Sequence, residues 1–302
     1  MFTTSAAEFL RAYSPERFPP RDPATARAVF LVTPEGFSLA EESSRDNLYM
    51  RMSEPTEPAL ALAEHAALAR ALASDIPVVT FPGDPATPDA VFPNNVWGTT
   101  RGHLLVGRMR HAVRQRESER RDIRAFFETV LGYDTVELPG GVAELTGALV
   151  IDRGRRIGFC GLSERCDLEG ARAMHDAFDL ALTYAFPLAP GEYHLNVLLA
   201  VLAGRAAILH RDSLADPAAA DAIAAVYPGR VLWLDNAEKA AFAGNAIALS
   251  DEAVWMSEEA ARRLRPESRA ALGSWGFAIR TAALAEIEKA GGSLRCCVAE
   301  IY

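Results

Sequence analysis

One pattern recurs along this chain: a helix candidate followed by two or three short apolar runs, met about five times at a spacing of roughly 50–60 residues. Helical spacing of apolar side chains marks Glu57–Ser74, with Leu60, Leu68 and Leu72 on one side, and Glu117–Leu131, where Ile123, Phe126, Phe127, Val130 and Leu131 recur. Further helix candidates are Asp167–Leu180, Pro217–Val226, Ser257–Leu264 with Ser257 as N-cap, and Thr281–Ala290. Strand-like runs lie between them at Val29–Val32, Pro77–Phe81, Leu104–Val106, Leu149–Ile151 and Arg156–Cys160. Others follow at His194–Leu202, Ala206–Leu209, Val231–Leu234, Ala246–Leu249 and Leu294–Ile301. Such alternation predicts an α/β or α+β protein. More than one strand per helix argues against a doubly wound sheet. No glycine-rich dinucleotide fingerprint or phosphate loop is present, and Gly140-Gly141 reads as a turn. The repetition predicts a closed, pseudo-symmetric assembly whose strand ends and loops surround a central axis. No linker-like segment divides the chain, so one domain over residues 1–302 is expected.

With 302 residues, half of them hydrophobic, the chain can bury a large core. Its net charge of −9, without a dense Lys/Arg run, argues against a nucleic-acid partner. The start, Met1 to Arg11, lacks a basic segment leading into an apolar one, so no signal peptide is expected. The longest apolar stretch, Leu195–Leu209, is broken by Gly204 and Arg205 and is too short to span a bilayer. A soluble, cytoplasmic protein without a membrane partner is the expectation. Four cysteines occur, Cys160, Cys166, Cys296 and Cys297, with no CxxC pair or zinc-like spacing, which predicts reduced thiols and no metal. On a strand, Cys296 and Cys297 would face opposite ways, a poor chelate and a poor disulfide. Cys160, Cys166 and Cys297 read as small buried hydrophobes.

Cys296 stands out because Gly291-Gly292 leads into its segment, a placement suited to a backbone that passes close to a ligand. A nucleophilic thiol needs a base or cation nearby, and histidine is the usual supplier. Of six histidines, His65, His103, His111, His175 and His210 sit in helix patterns or charged loops, where a structural role is the simpler account. His194 instead opens an apolar run and precedes Asn196 by two residues. On a strand both would share one face, and polar groups there need partners. Asn94-Asn95, after Phe92-Pro93, reads by itself as a turn. Glu144, between Gly140-Gly141 and a buried strand, is either a solvated loop residue or an inward-facing acid. Arg114, Arg116 and Arg165 read by themselves as surface charges.

Together these segments resemble the arginine deiminase and amidinotransferase superfamily of guanidino-modifying enzymes, and within it the citrulline-utilisation hydrolases. The quoted residues are Phe92-Pro93-Asn94-Asn95, then Glu144 ahead of Thr146-Gly147, then Tyr193-His194-Leu195-Asn196-Val197, and finally Gly291-Gly292-Ser293-Leu294-Arg295-Cys296 ahead of Ala299-Glu300. Each motif is weak alone; four in order over nearly the whole chain are specific. The resemblance implies the pentein fold, an α/β propeller of five repeated units. It further implies Cys296 as nucleophile, His194 as general acid/base and Glu144 as the buried carboxylate of the site. Asn95 (or Asn94) and Asn196 fall where deiminases carry the two aspartates that grip a guanidinium, and Asn47 matches a substrate-contacting asparagine. Arg114 and Arg165 become candidates to clamp a substrate carboxylate, with Arg116 nearly as good as Arg114. Cys297 stands where relatives carry Met, and Leu145 where Gly is common.

The implied reaction is covalent hydrolysis of a C–N bond in a guanidino or ureido amino acid, with no metal or organic cofactor. Neutral asparagines in place of carboxylates favour a ureido group, which loses less hydration on burial than a guanidinium. That predicts citrulline-like hydrolysis, or two-step hydrolysis of arginine to an ornithine-type product, ammonia and carbon dioxide. The alternatives are an amidinotransferase with an amine acceptor, a deiminase stopping at citrulline, a non-enzymatic binding protein on the same fold, and an unrelated thiol hydrolase. Residues Phe37–Ser53 read either as a mobile cap or as a plain surface loop; homo-oligomerisation is left open.

Overall fold

Each hairpin in this chain is too short to bury both of its faces, so it recruits a helix and a third strand. The computed structural model describes residues 1–302. Trp97–Thr100 turns through Arg101-Gly102 into antiparallel His103–Val106, and after a helical segment Asp134–Glu137 returns parallel to the second strand. Gly102 has φ +75°, the left-handed backbone that so tight a turn needs. The pattern repeats with Leu149–Asp152, Ile157–Leu162 and Leu182–Pro187, the helix between being Leu168–Ala177. It repeats again with Leu199–Leu202, Ala206–Leu209 and Val231–Trp233 around helix Pro217–Val226. A fourth copy pairs Ala253–Ser257 with Ala278–Ala282, and its first strand shrinks to one bridge, Ile247 to Trp255.

The fifth sheet joins the two ends of the chain. Ala299–Ile301 runs antiparallel to Ala28–Val32, which is parallel to Val78–Phe81, with helix Pro58–Leu72 between the last two. Five separate sheets of mixed pairing result, one of them extended by Phe2–Thr3 beside Leu182–Pro187. The protein is therefore mixed α/β, and no helix is long and apolar enough to cross a membrane.

The helices carry apolar stripes that close over these sheets. Pro217–Val226 is capped by Asp216, whose side chain accepts from the Ala218 amide, and Pro217 occupies the first turn. It buries Ala219, Ala220, Ala222, Ile223 and Val226 against Ala207 and Leu209. Small alanines let the helix approach closely, and Ile223, fully buried, contributes about 1.5–3 kcal/mol. Truncating it to alanine costs about 2–5 kcal/mol. Asp167 and Ser257 cap their helices through the Gly170 and Ala260 amides.

Several expected elements differ. Thr281–Ala290 is not a helix: Ala278–Ala282 pairs as a strand and Ile287–Ala290 forms a 3₁₀ turn, pairing with Ala253–Ser257 outweighing local propensity. Glu117–Leu131 breaks into a turn at Arg116–Glu119, a helix at Arg121–Ala125 and a widened π turn at Phe126–Val130. In Leu294–Ile301 only Ala299–Ile301 is strand. Ahead of it the Cys296 amide donates to Ser293 and the Val298 amide to Arg295, coiling the segment into turns. Likewise His194–Leu202 starts as a 3₁₀ turn over Leu195–Val197 and becomes strand at Leu199.

Those turns share a register. Each of the five sheets begins with a hairpin strand or its one-bridge remnant, and just upstream of it lies a buried polar or thiol residue. They are Asn94 and Asn95 before Trp97, Glu144 before Leu149, His194 and Asn196 before Leu199, Asn245 before Ile247, and Cys296 before Ala299.

Candidate active site

The upstream turns bond directly to one another. Asn94 Nδ2 donates to Thr146 Oγ1 at 3.2 Å, and Thr146 Oγ1 donates to the Asn94 carbonyl at 3.0 Å. Asn245 Nδ2 donates to the Asn196 carbonyl at 2.9 Å, and its Oδ1 accepts from the Cys296 amide at 3.3 Å. Gly244 permits that approach, since a Cβ there would lie 2.3 Å from the Val197 carbonyl oxygen.

Glu144 is fully buried and lies at the centre of a charged network. Its Oε2 is 2.8 Å from His194 Nε2 and 3.1 Å from Arg165 Nη1, while Oε1 accepts from the Arg110 amide at 3.3 Å. Ala143 bridges Cys166, and the Glu144 amide donates to the Arg165 carbonyl, so one backbone contact sets acid beside guanidinium. Burial alone would raise the Glu144 carboxyl, but Arg165 and the His194 hydrogen bond outweigh it and hold it below the ordinary carboxylate range. His194 is lowered by burial, with Glu144 opposing, so the neutral ring is favoured. A carboxylate only accepts, so Nε2 carries the ring proton and Nδ1 presents its lone pair. His194 Nδ1 has no protein partner. Gly147 leaves it that space: a Cβ there would meet His194 Cε1 at 2.8 Å and Nδ1 at 2.9 Å.

The Cys296 thiol accepts from Asn245 Nδ2 at 3.2 Å and points its S–H to Asn196 Oδ1 at 3.7 Å. Burial raises it above the ordinary thiol value, and the Asn245 hydrogen bond works the other way. Cys297 is as deeply buried but makes no side-chain hydrogen bond, and desolvation raises its thiol far higher. The neighbouring thiols differ because the chain coils here; strand alternation is not the cause.

A cavity with about 10 Å³ of free space is lined by Asn47, Asp89, Asn95, Arg114, Arg165 and Cys296, among others. That is room for about one water, so an amino-acid ligand requires lining residues to shift. Asn47 is buried, accepting from the Tyr49 amide and reaching the Gly291 carbonyl at 3.5 Å. On the upstream turns four buried atoms lack any protein partner: Asn94 Oδ1, Asn95 Oδ1, Asn196 Nδ2 and His194 Nδ1.

The two arginines are buried, contrary to their reading as surface charges. Arg114 makes a bidentate pair with Glu117 and donates to the Asp89 and Phe92 carbonyls, leaving Nη1 without a bond. Arg165 spans Asp46 at 2.7 Å, Glu144 and the Ser43 carbonyl. Arg116 is exposed and lines no part of the cavity. Residues 37–53 lie over the cavity: Ser43 and Asn47 line it, and Asp46 ties the segment to Arg165, Arg110 and His111. Sequence reasoning missed Asn245, Asp46 and Asp89. The one sequence signal for Asn245 is its position as the single polar residue between Gly244 and the apolar run Ala246–Leu249. No group of three or more His, Cys, Asp or Glu side chains is placed to hold a metal ion.

Comparison with solved structures finds the same fold. The N-terminal domain of ArgZ, described as an arginine dihydrolase from the ornithine–ammonia cycle in cyanobacteria and solved with substrate, matches with a TM-score of 0.78 at 20% identity, over 91% of this chain and 97% of that domain. Full-length ArgZ matches at 0.80 and 20% identity over 91% of this chain, which spans only 40% of ArgZ. A dimethylarginine dimethylaminohydrolase bearing an S-methyl-L-thiocitrulline adduct matches at 0.71 and 19% identity, over 91% of this chain and all of that one (100%). A family model described as "N,N dimethylarginine dimethylhydrolase, eukaryotic" matches residues 33–302. No curated protein matches the sequence.

Proposed function

The chain belongs to the N,N-dimethylarginine dimethylhydrolase family, within the superfamily of guanidino-modifying enzymes, and from that premise we propose a cysteine-dependent hydrolase of C–N bonds in guanidino or ureido amino acids. The observation that carries the reading is the set of four unpartnered buried atoms on the upstream turns, where Asn196 lies against the Cys296 thiol and Asn95 Oδ1 and the His194 ring both face Gly147. Buried polar groups are otherwise almost always paired, so this hydrogen-bonding capacity is reserved for a ligand.

In this reading the Cys296 thiol gives up its proton to the free Nδ1 of His194, and Sγ, as thiolate, adds to the central carbon of the substrate group. The C–N bond to the leaving nitrogen breaks as His194, now protonated, delivers its proton to the departing ammonia or amine. The neutral His194 ring then takes a proton from water, whose oxygen adds to the same carbon, and the C–S bond breaks to return the thiolate. Glu144 acts through His194, fixing which nitrogen faces the substrate and stabilising the imidazolium. Arg114 Nη1 is the free donor for a substrate carboxylate; Arg165 is engaged with Asp46 and Glu144 and joins only if that pairing loosens. Asn47 and the cover over residues 37–53 admit substrate by opening. The five sheets are read as the blades of a pentein propeller around a central axis, one catalytic domain over residues 1–302.

For the substrate we favour a ureido-tolerant pocket. Asn94, Asn95 and Asn196 are neutral, and Glu144 is already compensated by Arg165, so Asp89, hydrogen-bonded to Ser43 and without an ion pair, is the one lining carboxylate left to meet a buried guanidinium. Arginine would then pass through a retained ureido intermediate to an ornithine-type product. The family match supports a second reading, release of dimethylamine from dimethylarginine to leave citrulline. The test is product analysis with arginine, citrulline, their N-acylated forms and dimethylarginine, using Cys296→Ala and Cys297→Ala as controls. Ammonia from both arginine and citrulline, abolished by Cys296→Ala alone, is the expected result. Citrulline accumulating as the end product from arginine refutes the ureido reading, and loss in Cys297→Ala alone reverses the choice of nucleophile. Transfer to glycine or another amine would instead mark an amidinotransferase.

A further inference from the structure

A second cavity, of about 550 Å³, lies apart from the proposed site and shares no lining residue with the cavity at Cys296. Four arginines line it: Arg27, Arg101, Arg153 and Arg156. Only Arg156 has a carboxylate partner, Asp179. Arg27 bonds the Tyr133 hydroxyl, Arg153 donates to the Thr99 carbonyl at 3.1 Å, and Arg101 has no side-chain hydrogen bond or ion pair. The lining acidic side chains are Asp22 and Asp179, so the side chains of the cavity carry a formal excess of two positive charges, reduced to one by the Tyr302 α-carboxylate, while the whole chain is at −9. In so acidic a chain, arginines are readily paired elsewhere: Arg110, Arg120, Arg124, Arg155 and Arg265 all meet carboxylates. Three guanidinia left without one, around a single concavity, form a site of complementary charge.

Two of the three, Arg153 and Arg27, are held in place by their neighbours. Arg153 is stacked against the Tyr302 ring, with its Cζ 4.1 Å from the centroid, and 5.0 Å from that of Phe178. This occupies the face of the guanidinium and leaves edge N–H groups for a ligand. Arg27 is tied to Tyr133, whose hydroxyl donates to the Tyr302 carbonyl at 2.5 Å. The cavity volume falls in the usual range for small-molecule sites.

We propose that this cavity binds a small anion carrying two or more phosphate charges, held by Arg27, Arg101 and Arg153. Guanidinium forks match phosphate oxygens bidentately, and three converging cations suit a multiply charged ligand better than a single carboxylate. The site is independent of the hydrolase reading.

Inorganic pyrophosphate is the probe, titrated calorimetrically into the full chain at fixed ionic strength. ADP, citrate and vesicles containing a phosphoinositide are parallel arms. Saturable pyrophosphate binding, weakened tenfold or more in both Arg101→Glu and Arg27→Gln, is expected. Arg101 is exposed and makes no side-chain hydrogen bond, so its reversal leaves the fold intact, as a matching thermal melt verifies. Tighter binding of ADP identifies a free nucleotide as the source. Vesicle binding that pyrophosphate displaces identifies a lipid headgroup. No saturable binding, binding unchanged in both variants, or citrate bound in preference to pyrophosphate overturns the proposal.

Discussion

Replacing Gly147 by alanine tests the placement of His194 with a single methyl group. The new Cβ would lie 2.6 Å from Asn95 Oδ1, 2.8 Å from His194 Cε1 and 2.9 Å from His194 Nδ1. Ordinary contact requires the ring to retreat by roughly half an ångström, and close packing leaves little room for it. Its far edge is held by the 2.8 Å bond from Nε2 to Glu144, so movement of the ring strains that bond. The fold should survive: alanine is favoured over glycine in a helical turn by about 1 kcal/mol, against an overpacking cost of about 1–3 kcal/mol. A net destabilisation of about 0–2 kcal/mol is expected. Misplacing a catalytic base by a fraction of an ångström to 1 Å is expected to lower kcat by roughly ten- to a hundredfold. The assay is ammonia release at saturating substrate beside urea denaturation of the same preparation. Gly273→Ala is the control, because an added Cβ there meets nothing within 4 Å. Gly147→Ala with activity within twofold of the parent, and an equally stable fold, would refute the assignment of His194 as the base.

Other outcomes follow from the same geometry. Asn245→Ala removes the hydrogen bonds that offset burial of the Cys296 thiol, so the rising alkaline limb of kcat/KM moves to higher pH; a pH profile unchanged from the parent contradicts that role. Glu144→Gln removes one of the two carboxylates that neutralise buried Arg165, Asp46 remaining, and should cost about 1–3 kcal/mol by chemical denaturation. Because the folded Glu144 value is depressed, its stabilisation is present above the unfolded carboxylate value of about 4.3 and fades as pH falls toward the folded one. The parent should therefore lose stability below about pH 4.5 more steeply than Glu144→Gln, and parallel curves would deny the depressed value. Asp167→Ala, which removes the cap on helix Leu168–Ala177, should cost about 1 kcal/mol in stability with kcat unchanged.

The fold was legible wherever local pattern and tertiary pairing agree. Pro217–Val226 begins and ends where its Asp216 cap and alanine stripe predict, and Ala206–Leu209 is a strand because its apolar run is buried on both faces. Where pairing overrides local sequence, the reading failed: Ala278–Ala282 is an exposed edge strand held by its neighbour, not by any periodicity of its own. His194 and Asn196 were expected on one face of a strand, but a 3₁₀ turn carries Asn196 with His194 at its N-cap, so strand alternation does not order the two side chains. Arg165 could not be read as buried because its partner Asp46 lies in a distant segment, while the local Arg114–Glu117 pair is buried only when the Asp89 and Phe92 carbonyls close over it. The register that places a polar residue ahead of each hairpin is a property of the assembled units, and Asn245 was missed for that reason.

The sheet formed by Ala299–Ile301, Ala28–Val32 and Val78–Phe81 closes the polypeptide on itself, and the thiol arrives only three residues before that last strand. A growing nascent chain can thus make Ala28–Val32 and Val78–Phe81 early, yet that sheet stays open on one side until Ala299–Ile301 emerges to pair with it. Closure of this unit is therefore a late event in synthesis, and the segment carrying Cys296 is seated by it.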